Sequence, residues 1–141
     1  MDMILHVDGG SRGNPGPSAA AAVALQNGVA VRHLARHLGV TTNNVAEYEG
    51  LLLAFRLARA MKLQEVEVRS DSELLVKQFA GEYRMKAAHL KPLLAKARAE
   101  ALRFRRVRVS HVPRERNEEA DRLVNETLDR GGNAAEGEEE R

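Results

Sequence analysis

Four carboxylates stand where local structure favours another residue type. Asp8 ends the short apolar run Ile4-Leu5-His6-Val7, and Asp71 follows a β-rich segment around Val66 and Val68, directly before a helical pattern. Sites in α/β proteins gather at the carboxyl ends of strands, so these two acids lie side by side if their strands are neighbours. Glu47 precedes Leu51 by one helical turn on the apolar stripe of a long helical pattern, and Asp121 shares a helical face with Val124 and Leu128. Each acid also has a plainer reading. Asp8 can contact the glycines that follow it, and Asp71 or Ser70 can cap the next helix. Asn44 and Glu47 have capping-box spacing, while Arg114 or Arg116 can neutralise Asp121.

Convergence of the four would demand a counter-charge, because an unpaired buried carboxylate costs several kcal/mol or takes up a proton. A hard divalent cation supplies it, and Mg²⁺ and Mn²⁺ both prefer carboxylate oxygen. Two such ions about 4 Å apart, bridged by one carboxylate, activate a water and stabilise the leaving oxygen of a phosphodiester. His111 ends a strand upstream of Asp121, where it can move protons or simply fill a structural position. The other histidines, His6, His33, His37 and His89, show no metal-ligand spacing.

The elements that must position these groups read as a mixed α/β chain. Ile4–Asp8 reads as a strand that stops at Gly9-Gly10, and the Gly- and Pro-dense SRGNPGP as a loop. Ser18–Gln26 and Val29–Leu38 flank Asn27-Gly28, a strong hairpin signal, although five alanines weaken the first arm as a strand. Thr41–Asn44 offers capping residues for a helix running to about Met61. A strand ending at Ser70, a short helix over Ser72–Phe79, and a helix over Ala87–Leu102 bent or restarted at Pro92 follow. Arg105–Val112 alternates as a strand with one wet face, and Glu115–Leu128 is the closing helix. The order βββαβααβα implies one mixed five-stranded sheet with helices packed against it.

Length and charge set the bounds. The 141 residues suit roughly one domain, and 43% apolar residues argue against general disorder. Without cysteine there is no disulfide scaffold or thiolate metal site, and the composition fits a reducing compartment. With no signal-peptide or membrane-span pattern, the expectation is a cytoplasmic monomer with no membrane partner. The net charge of +2 conceals an acidic tail, residues 131–141, at −3 against a body at +5. Residues 1–130 therefore read as the domain and 131–141 as a disordered tail, with a frayed start at residues 1–3. Arg84–Arg108 carries nine basic side chains against Glu100 alone, which reads as an electropositive surface for a polyanion.

The strings DGGSRGNPGP (8–17), TTNNVAEYEGLLLA (41–54), SDSELLVKQ (70–78) and HVPRERNEEAD (111–121) together resemble ribonuclease H of type 1. The resemblance spans roughly residues 3–129 and implies the ribonuclease H-like fold. It implies a two-metal endoribonuclease that cleaves the RNA strand of RNA–DNA hybrids with Mg²⁺, or Mn²⁺ as alternative, leaving 5′-phosphate and 3′-hydroxyl ends. Carried over by position, Asp8, Glu47, Asp71 and Asp121 are the metal-binding carboxylates, and His111 is the mobile histidine. Asn14 and Asn44 correspond to RNA-strand contacts and Thr42 to a DNA phosphate contact, with Asn43 and Ser72 as further nucleic-acid contacts. Two departures stand out. The chain lacks tryptophan and is too short between Phe79 and Leu102 for a basic protrusion, and Glu73 replaces a common glutamine. The competing readings are a non-catalytic nucleic-acid-binding module and a related metal nuclease preferring double-stranded RNA or another structured nucleic acid.

Overall fold

Two apolar layers lie on opposite faces of one mixed sheet, and small side chains between them set how closely they approach. The computed structural model describes residues 3–130, and 136–140 as backbone. Strands β1 (Met3–Ser11), β2 (Gly16–Gln26) and β3 (Val29–Thr41) form an antiparallel meander. Strands β4 (Glu65–Ser70) and β5 (Arg106–His111) add in parallel on the other side of β1. A sixth strand, β6 (Glu136–Glu140), pairs with the far edge, giving the order β5-β4-β1-β2-β3-β6. The helices are α1 (Asn43–Ala60), α2 (Glu73–Phe79), α3 (Lys91–Ala101) and α4 (Glu118–Asp129).

The alanines of β2 explain themselves in this setting. Ala20, Ala22 and Ala24 face a core shared with Leu51, Phe55 and Leu94, whereas Ala19, Ala21 and Val23 face Ala120, Leu123, Val124 and Leu128 of α4. A strand covered on both faces needs small side chains so that both helical layers can pack close. The Asn27-Gly28 turn forms as expected, with both residues at positive φ (52° and 83°), as a two-residue hairpin requires.

Several expected boundaries move. Gly9-Gly10 do not end β1; a Cβ on Gly9 would lie 2.1 Å from the Ala46 carbonyl, so this glycine admits α1 rather than a turn. Met3 belongs to β1, while residues 1–2 lie outside the described residues. Strand β3 runs on to Thr41, past the expected end at Leu38. A 3-10 turn over Ala88–Leu90 precedes α3, with Pro92 in the first turn of the restarted helix. Glu115 is not helical in the α sense: Arg114–Arg116 is a 3-10 turn, and Asn117 (φ −124°, ψ 30°) breaks the chain before α4. Residues 136–140, in the stretch read from sequence as a tail, pair backbone to backbone with the open edge of β3. Residues 131–135 and 141 lie outside the described residues. Among the described residues, no helix is long and apolar enough to cross a membrane.

Candidate active site

The β1–β4 ladder ends at Val7 opposite Ser70, and both chains carry an acid onward from that point. Helix α1 comes down on the same spot: a Cβ on Gly50 would meet the Asp8 carbonyl oxygen at 2.7 Å, so Gly50 lets the helix rest on β1. Thr42 caps α1, its Oγ1 accepting from the Val45 amide at 3.2 Å. Asn44 is therefore not the cap, and Glu47 does not close a capping box. Its Oε1 instead accepts from the Gly9 backbone N–H at 2.9 Å. The turn after β4 likewise frees its acid. Ser70 Oγ accepts from the Ser72 amide at 3.0 Å and Ser72 Oγ accepts from the Leu75 amide at 3.2 Å, so serines rather than Asp71 hold the start of α2.

The result is one oxygen from each of Asp8, Glu47 and Asp71 within 4.8 Å of the others. Asp8 and Glu47 are both only 8% exposed. Burial pushes the Asp8 carboxyl up to about 9, and the charges of Glu47, Asp71 and Asp121 push the same way. Glu47 rises to about 7 through burial and then Asp71, against hydrogen bonds from Gly9, Ser72 and Asp8 that favour its ionised form. Such a cluster takes up protons unless a cation stands among its oxygens. All-carboxylate, hard-oxygen donors are the set a divalent cation of the Mg²⁺ class accepts, and the residues fit that group.

Asp121 lines the same cleft, of about 380 Å³, but at its rim and outside the close triad. It pairs loosely with Arg114, with Nη2 4.0 Å from Oδ1, on a side chain 81% exposed. Arg122 turns away to Glu119 and Glu126, at 3.0 and 2.7 Å. His111 stands exposed at the end of β5, in register with Ser70, and does not line the cleft. Asn43 lines it, and its backbone N–H donates to Asn14 Oδ1 at 3.1 Å, tying the loop after β1 to the start of α1. Asn44 is exposed on that first turn.

Two residues at the site escaped the sequence reading. Asn117 is fully buried, and its Nδ2 donates to the Val7 carbonyl at 2.8 Å and to Asp71 Oδ2 at 3.3 Å. His6, whose Nδ1 lies 3.1 Å from Asn117 Oδ1, is held below the ordinary histidine range chiefly by burial. The available signal was positional: His6 shares a strand face with Asp8, and Asn117 stands one helical turn before Asp121.

A mixed sheet with α1 and α4 on opposite faces, and acids delivered by β1, α1 and the β4–α2 turn, defines the ribonuclease H-like class. Residues 6–127 match the family model described as "Reverse transcriptase-like". The crystal structure of RNase H1 from Halobacterium salinarum superposes with a TM-score of 0.88 at 37% identity, covering 92% of this chain and 98% of that one. LC11-RNase H1, solved in complex with an RNA/DNA hybrid, gives 0.86 at 41% identity, covering 92% and 98%. A bifunctional protein of Mycobacterium tuberculosis is 39% identical over 137 residues, 96% of this chain. The chain spans only 38% of the length of that relative. The chain belongs to the ribonuclease H1 family.

Proposed function

We propose that the protein is a divalent-cation-dependent endoribonuclease that hydrolyses the RNA strand of RNA–DNA hybrids, leaving 5′-phosphate and 3′-hydroxyl ends. The observation that carries this reading is the approach of Asp8, Glu47 and Asp71 within 4.8 Å at the mouth of two parallel strands. Asp8, Glu47 and Asp71 hold the cations, with Asp121 completing the set from the rim. Two Mg²⁺ ions, or Mn²⁺ in their place, supply the Lewis acidity for attack on the phosphodiester. The Gly9 amide fixes the Glu47 carboxylate in place. His111, exposed beside this end of the sheet, moves a proton or assists departure of product.

The nucleic-acid contacts follow from groups with hydrogen-bonding capacity to spare. Thr42 accepts from a backbone amide as a helix cap, which leaves its hydroxyl proton to donate to a phosphate or sugar oxygen, whereas the Ser72 hydroxyl faces Glu47 and would reach nucleic acid only by exchanging that partner. Asn43 lines the cleft and Asn14 accepts from its backbone amide, and contact of Asn14, Asn43 or the exposed Asn44 with a ribose 2′-hydroxyl would distinguish RNA from DNA. The enzyme so described is a cytoplasmic monomer.

Cleavage assays test the reading. A hybrid, the matching RNA duplex, the DNA duplex and single-stranded RNA are each incubated with Mg²⁺ or Mn²⁺, comparing the protein with Asp8→Asn. Hybrid-selective cleavage abolished by D8N is the expected result. Preferential cleavage of the RNA duplex would reassign the substrate, and tight binding without cleavage in either metal would make the protein a binding module.

A further inference from the structure

Asn117 immediately precedes α4, where an asparagine ordinarily accepts from the first-turn amides, yet its side chain makes no capping bond. It is turned into the sheet instead and is 0% exposed. There its side chain reaches two of the four acid-bearing segments, while its backbone opens the helix that carries a third. The Nδ2 donates to the Val7 carbonyl, next to Asp8, and to the Asp71 carboxylate. The Asn117 carbonyl accepts from the Asp121 backbone N–H at 3.1 Å. With Nδ2 committed to two oxygens, Oδ1 is the acceptor facing His6, so the proton on that imidazole sits on Nδ1.

We propose that Asn117 is a positioning residue that fixes the Asp71 carboxylate and the root of α4 against β1, with His6 bracing it from behind. The claim rests on the metal-site reading above. An amide is the side chain this position requires: aspartate could not donate to two oxygens and would set a further acid against Asp71. Alanine would leave the buried Val7 carbonyl and His6, and the half-buried Asp71, each short of a partner. Residues that orient metal ligands typically change metal affinity about 10–100-fold when removed.

The test compares the protein with Asn117→Ala, Asn117→Asp and His6→Phe. Mn²⁺ affinity is measured by calorimetry on the metal-free proteins, alongside kcat and KM for a hybrid and the melting temperature. N117A should weaken Mn²⁺ binding about tenfold or more. Its kcat should fall with KM nearly unchanged, and raising Mn²⁺ should recover part of that loss. N117D should bind hybrid no better and cleave it more slowly still, and H6F should show the same pattern as N117A at a few-fold scale. If N117A does not fold, Asn117→Ser, which keeps one donor, carries the comparison under the same criterion. A lower melting temperature with unchanged Mn²⁺ affinity and unchanged kcat would overturn the positioning role while leaving the nuclease reading intact. Failure of the unsubstituted protein to bind Mn²⁺ at all would overturn both.

Discussion

The acidic end of the sheet and the basic stretch Arg84–Arg108 are opposites in how sequence becomes a surface. The acids are scattered over more than a hundred positions, yet Asp8, Glu47 and Asp71 come within 4.8 Å, with Asp121 lining the same cleft. The basic residues lie close together in sequence, and five of them fall in separate places. Lys96 lines a cleft with Arg36, Arg56 and Arg59, where Glu49 and Glu100 also sit. Arg98 donates to the Gln78 carbonyl at 3.1 Å, and Arg103 pairs with Glu100 at 2.8 Å. Arg106 and Arg108 stand on β5 in register with Glu65 and Glu67, in a separate hollow. The expected electropositive surface is therefore divided, with part of its charge already met by acids or carbonyls. A helix and a strand turn consecutive side chains to different faces, so a local charge excess need not make a patch. The acids succeed because the ends of neighbouring strands and the first turn of α1 meet at a single point.

The widest separation between the two regions should appear on removing one charge from each. Asp8→Asn should lower kcat by about 10³-fold or more with little change in KM, as expected when a group acts chiefly in the transition state. Steady-state kinetics on a hybrid measures it. Neutralising Arg106 and Arg108 together should leave KM within about twofold, because Glu65 already opposes Arg106 and both arginines line a hollow apart from the acidic cleft. The exposed pair Arg84 and Lys86, which follow α2, should matter more. Their neutralisation should raise KM roughly 3–10-fold and flatten the salt dependence of binding by about one to two contacts. Equal effects from the two pairs would restore a single basic surface.

Proton uptake at the acidic end gives a thermal signature. Asp8 and Glu47 have ordinary values of 3.8 and 4.5 and are raised to about 9 and about 7 in the fold. A carboxyl raised on folding favours the folded state while protonated, so its contribution is complete below about pH 4 and lost as pH climbs through 7 towards 9. The metal-free protein should therefore melt lower at pH 8 than at pH 5, on the order of 5 °C. Mg²⁺ should restore more stability at pH 8 than at pH 5, since it competes with fewer protons there. D8N should flatten the metal-free slope. The smallest effect belongs to Glu73, whose carboxylate lies 3.9 Å from Lys77 at the start of α2. Glu73→Gln should lower KM about twofold by removing one charge near the phosphate path.

What the sequence disclosed follows the same division. Asp8, Glu47 and Asp71 were legible because each is a charge in a place that local rules assign to something else. The order of elements was legible from periodicity, and the Asn27-Gly28 turn from its chemistry. Gly9 misled because a glycine ending an apolar run looks like a turn, and only the arrival of α1 shows that it serves close packing. Glu47 and Asp71 each had a capping alternative that was decided by neighbours: Thr42 and Ser72 are the caps. Asn117 and His6 had a positional signal, four residues before Asp121 and two before Asp8, but nothing that marked a partnership between them. Their importance lies in a junction between β1 and α4 more than a hundred residues apart, which no local pattern encodes. The pairing of 136–140 with β3 was hidden for a related reason, because backbone pairing to an open edge leaves no mark in composition.

The most direct test of the central claim is anomalous diffraction from crystals of the protein equilibrated with Mn²⁺. The account predicts Mn²⁺ peaks within coordination distance of the Asp8, Glu47 and Asp71 carboxylates, lost or weakened in D8N crystals grown the same way. Crystals of an actively cleaving preparation that show no peak among those three carboxylates, or show Mn²⁺ held elsewhere and unaffected by D8N, would contradict it.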